Sequence, residues 1–67
     1  MDAIEKVRVR LEHWIAHNDQ HEDEYEKFAR QLEEAGKHES AGHVREMMSM
    51  SSKGNECLRR ALSALDK

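Results

Sequence analysis

The sequence predicts an all-α protein: a long antiparallel two-helix hairpin that pairs with a second copy into a four-helix bundle. Three observations carry this expectation. Apolar residues recur at alternating three- and four-residue steps along most of the chain, the period of a helix face. Proline is absent, so nothing forces a helix to break. The first half of the stripe ends at Ala35-Gly36, where a turn would fold the two halves side by side.

The first helix is expected over about residues 2–35. Asp2 followed by Glu5 reads as a capping box, the acid at the cap accepting from a free backbone N–H of the first turn. From there Ile4, Val7, Leu11, Trp14, Asn18, His21, Tyr25, Phe28, Leu32 and Ala35 follow an a/d heptad track. Gly36 stands where helices commonly end on a left-handed residue. A turn is expected over 36–38, then a second helix over about 39–66. Its stripe runs through Ala41, Val44, Met47, Met48, Ser51, Gly54, Asn55, Leu58, Ala61, Leu62 and Leu65. The stretch around Gly54 is a poor helix former, since a mid-helix glycine costs about 1 kcal/mol relative to alanine. One continuous helix is nevertheless the expected form.

Folding the hairpin at the turn sets Phe28 opposite Met47 and Met48, and Trp14 opposite Ala61 and Leu62. The middle then turns polar on both helices together, with His21 facing Gly54 and Asn55. The heptad flanks suggest how two hairpins would meet. Ile15, Ala29, Ala41, Met48 and Leu62 make one flank apolar beyond what a two-helix seam requires, so this e side is the expected dimer face. The opposite flank, with Arg10, His17, Glu24, Gln31, His43, Met50 and Cys57, should stay open to solvent.

Composition narrows the classes. Sixty-seven residues make one small domain, and chains this short bury only about 60% of their unfolded surface. Leu, Ile, Val and Phe together number eleven, so completing a core by self-association is expected. The net charge is −3 with the cations scattered among acids, which gives no footprint for nucleic acid. No apolar run approaches the roughly 20 residues of a membrane span, and the first dozen residues lack the apolar core of a signal peptide. A lone cysteine, Cys57, fits a reducing compartment. The expectation is a cytoplasmic homodimer, with any further protein partner left unspecified.

The chemistry sits in the stretch HWIAHNDQHEDEY, which places His13, His17 and His21 at four-residue steps. Residues four apart stand one above the other on a helix. Two histidines so placed can chelate one first-row metal through their ring nitrogens. His17 and His21 are the candidate pair, and the expected register sets Cys57 across from His17 as a third ligand. Such a set suits zinc, nickel, copper or cobalt, and Glu24 would bind directly or orient a ring. Ferritin-like di-iron chemistry is excluded, because it needs Glu-x-x-His motifs. The residues three before the five histidines are Arg10, Trp14, Asn18, Ala35 and Ser40.

Two other readings share these residues. In the first the polar layer is structural: Asn18 and His21 set helix register and pairing, as polar residues in a heptad seam do. In the second, a His21 buried in the seam would make stability fall between about pH 7 and 5. Met47 and Met48 read as core filler. Catalysis is not expected, since a two-helix hairpin offers no deep pocket.

The runs HWIAHNDQHEDEYEKFA, AGHVREM and NECLRRALSAL resemble a family of small prokaryotic helical-hairpin proteins whose activity is not established. Their pattern is W-x-x-H-N-x-x-H followed by an aromatic one turn on. Trp14, His17, Asn18, His21 and Tyr25 carry it here. The resemblance implies a hairpin fold and directs attention to His17, Asn18 and His21; His13 and Cys57 lie outside it.

Overall fold

The computed structural model describes residues 2–66. Helix α1 spans Ala3–Glu34 and helix α2 spans His38–Ala64. They pack antiparallel along their whole length into a rod of 51 × 17 × 11 Å. Asp2 caps α1, its Oδ1 accepting from the Glu5 N–H at 2.8 Å. Gly36 takes a φ of 78°. The Lys37 N–H reaches the Leu32 carbonyl at 2.8 Å and the Gly36 N–H reaches Glu33 at 3.0 Å, the paired bonds of a Schellman motif. Glycine is needed there because a Cβ disfavours positive φ. α2 runs unbroken through Gly54.

The seam between the helices differs from the expected a/d track. Its α1 side is built from Arg8, Leu11, Ile15, Asn18, Glu22, Tyr25, Ala29 and Leu32, all buried or half-buried. The a column of Leu11, Asn18, Tyr25 and Leu32 is kept, but the residue after each d position takes the place of the d residue. Ala29 is wholly buried, whereas Val7, Trp14 and Phe28 are 45%, 46% and 58% exposed. On α2 the seam is Ala41, Val44, Met48, Ser51, Asn55, Leu58, Leu62 and Leu65, and Met47, Gly54 and Ala61 turn outward. The flank expected to join two hairpins, Ile15, Ala29, Ala41, Met48 and Leu62, therefore lies inside one hairpin. It is spent on the intrachain seam.

Charge is consistent with the observed seam. Within α1 every seventh residue from Glu5 is acidic: Glu5, Glu12, Asp19, Glu26 and Glu33. This column lies along one side of the observed seam. Arg45 of α2 bridges two of its members, with Nε 2.8 Å from Glu33 and Nη1 2.8 Å from Glu26. Arg59 meets Asp19 at 2.9 Å. The Arg45 hydrogen bond holds the Glu26 carboxyl below the usual carboxylate range, with Arg30 adding to it. At the open end, Arg8 grips Asp66 at 2.6 Å and lowers the Asp66 pKa likewise. Rotating α1 to bury the d column would carry these acids away from their partners. Surface pairs of this kind contribute little each, but all of them favour the same one of the two apolar faces.

Candidate metal centre

The middle of the hairpin holds two polar groups that the sequence had merged into one layer. The first is sealed in the seam. Asn55 is only 1% exposed. Its Nδ2 donates to the Ile15 carbonyl at 3.1 Å and to Asp19 Oδ1 at 2.7 Å, and its Oδ1 accepts from Asn18 Nδ2 at 3.2 Å. Burial of an amide is costly unless its donors and acceptors are met, and here they are. Asp19 completes the cluster by also receiving Arg59.

His21 is not part of that layer. Its side chain is half exposed and turns along α1 instead of across to α2. Its Nε2 lies 2.9 Å from His17 Nε2, and its Nδ1 lies 3.2 Å from Glu24 Oε2. The ionised carboxylate can only accept, so the network assigns the His21 proton to Nδ1 and leaves the Nε2 lone pair facing His17. This is the arrangement in which ligating histidines are usually held: a carboxylate on one ring nitrogen, the metal on the other. A helix supplies the spacing, since four residues return to the same face.

The rings continue above and below. His13 stacks near His17 with centroids 6.1 Å apart. The rings of His17 and His21 meet edge to face at 4.3 Å, and His21 stacks on Tyr25 at 5.8 Å. Tyr25 thus fixes one side of the His21 imidazole while Glu24 fixes its rotation.

The structure brings His17 and His21 together and leaves Cys57 elsewhere. Cys57 is exposed. Among the described residues no group of three or more His, Cys, Asp and Glu is placed to hold a metal ion. One chain therefore offers two nitrogens. A shallow depression lined by Lys6, Val9, Arg10 and His13 lies on α1 alone and contains neither member of the pair. Premises of the pH reading also change, because a half-exposed His21 is not a buried seam residue.

Sequence reasoning missed Glu22. It occupies a seam position, and its Oε1 is buried without a hydrogen bond to another protein group. The only signal was its place one residue after the d column, which becomes visible once that column is known to face outward.

Residues 7–65 match a domain of unknown function, DUF8180, and the chain belongs to that family. No curated protein and no solved structure matches it. Among the described residues, no helix is long and apolar enough to cross a membrane.

Proposed function

We propose that this protein is a small metal-binding or metal-responsive helical protein whose ligand pair is His17 and His21. The observation that carries the reading is the contact of the two Nε2 atoms at 2.9 Å with Glu24 on the far nitrogen of His21. Two nitrogens bound at about 2.0–2.1 Å to a tetrahedral ion stand roughly 3.3 Å apart. The pair reaches that separation by a small rotation of either imidazole. His17 must then give up its Nε2 proton and carry one on Nδ1 instead, an exchange that solvent can mediate because its ring is exposed. The imidazole donors suit zinc, nickel, copper or cobalt, and set aside magnesium and calcium, which prefer oxygen. The hairpin contributes rigidity: the ligands stand on one helix, the turn of which from Ile15 to Asp19 is pinned by the Asn55 cluster. No catalytic role is proposed.

Calorimetric titration of untagged protein with Zn²⁺, Ni²⁺, Cu²⁺ and Co²⁺ tests this. Binding should be lost in His17→Ala and His21→Ala and retained in Cys57→Ser. Absence of binding to the unmodified protein would reject the reading, and loss of binding in Cys57→Ser would restore a third ligand.

A second reading rests on the buried amide. Asn55, bonded to Asn18 and Asp19, is suited to setting helix register in a non-catalytic interaction module. Asn18 then keeps the role expected of it, with Asn55 in place of His21.

A further inference from the structure

The two flanks of the seam are chemically opposite. One carries the acidic column and its arginine partners. The other carries Val7, Trp14, His21 and Phe28, again at seven-residue intervals, all but His21 largely exposed. Across the seam on this same flank stand Met47, Gly54 and Ala61 of α2, each exposed and each seven residues from the next. They share this flank because Arg45 and Arg59 direct the other side of α2 to the acids.

We propose that two hairpins pack these flanks together about a two-fold axis and share one divalent metal ion between two His17–His21 pairs. The inference rests on the metal reading above and adds who completes the site. One chain supplies two nitrogens, a tetrahedral zinc site needs four donors, and a two-fold axis doubles whatever lies beside it. His21 is suited to lie there: it is the one polar member of an otherwise apolar column and sits near mid-height of α1, two helical turns from Trp14 on one side and from Phe28 on the other.

Area argues for a second copy as the occupant. The chain exposes 5228 Å², whereas a compact monomer of its mass, 7.8 kDa, exposes about 4,400 Å². The excess, about 800 Å², equals the share of one partner in a standard stable interface. Gly54 points the same way. A Cβ built on it would meet nothing within 4 Å in its own chain, as is also true of Gly42, but only Gly54 stands in the exposed column with Met47 and Ala61. Against a neighbouring backbone, or beside an imidazole reaching across from a second hairpin, the missing side chain is room.

Native mass spectrometry and sedimentation of the full chain, with Zn²⁺ added or chelator present, test the proposal. The expected species is a dimer holding one Zn²⁺, with dimer affinity at least tenfold weaker in chelator. Trp14→Glu, which changes no ligand, should lower Zn²⁺ affinity at least tenfold while circular dichroism stays helical. If that variant loses its helices, Phe28→Glu serves in its place, since Phe28 is the more exposed. Zn²⁺ bound one per monomer, with affinity unchanged by Trp14→Glu, would overturn the shared site and leave the His17–His21 pair standing. A dimer of the same affinity with and without Zn²⁺ would overturn it too. No Zn²⁺ bound to any species would defeat both the pair and the sharing.

Discussion

The two flanks of the hairpin use the same heptad spacing to opposite ends. On one, three of the acids spaced every seventh residue, Asp19, Glu26 and Glu33, meet Arg59 and Arg45 across the groove, so much of the flank is partnered within one chain. On the other, Val7, Trp14 and Phe28 recur as regularly and meet too little of their own chain to be buried. The comparison teaches that regular spacing marks a face, not its partner. Which face closes the hairpin depends on what stands opposite, and Arg45 and Arg59 of α2 reach members of the acidic column.

The comparison breaks most sharply if the seam is opened at its centre. Asn55→Leu removes the partner of Asn18, Asp19 and the Ile15 carbonyl together, and should cost about 2–3 kcal/mol in urea unfolding. Leu11→Ala, in the same seam, should cost a comparable 2–3 kcal/mol by leaving a cavity. Substitution on the open flank should behave differently: Phe28→Gln should change monomer stability by less than about 1 kcal/mol, yet shift the association equilibrium measured by sedimentation. If Phe28→Gln destabilised the monomer as much as Leu11→Ala does, the assignment of the two faces would be wrong.

Smaller effects sharpen the same contrast. Glu22→Gln should leave stability unchanged or raise it by up to about 1 kcal/mol, because the amide is less costly to desolvate than a carboxylate with a bare buried oxygen. The pH dependence has a definite sign. Glu26 and Asp66 have pKa values lowered in the folded chain, so each adds stability that is present above the ordinary carboxylate pKa of about 4. That stability is lost as the pH falls through the lowered folded value. Stability should therefore decline on acidification below about pH 5, and the decline should shrink in Arg45→Met. Both pairs lie at the surface and are reached by solvent, so high salt should mute the effect. An acid response identical in Arg45→Met would remove the ion-pair account of seam choice.

The architecture was legible in the chain, and for local reasons. Asp2 with Glu5, the uninterrupted three-four spacing and Gly36 are signals that act within a few residues, and each appears where expected. The His17–His21 contact and its Glu24 partner were legible for the same reason, since i,i+3 and i,i+4 neighbours on a helix need no tertiary information. Cys57 was different, because its approach to the pair depended on how two helices were rotated about their own axes.

That rotation is set by contacts between the helices. The first helix carries two interleaved heptad tracks that share Leu11, Asn18, Tyr25 and Leu32. One continues through Val7, Trp14, His21 and Phe28, the other through Arg8, Ile15, Glu22 and Ala29. By hydrophobicity alone the first track is the better seam; local signals along the chain reach as far as two antiparallel helices, the turn between them and the His17–His21 contact. The second track won because it sets small Ala29 in the groove, lets Asn55 find three partners, and leaves Asp19, Glu26 and Glu33 within reach of two arginines. Those are contacts between residues far apart in the chain, and a helix's own periodicity contains no information about them.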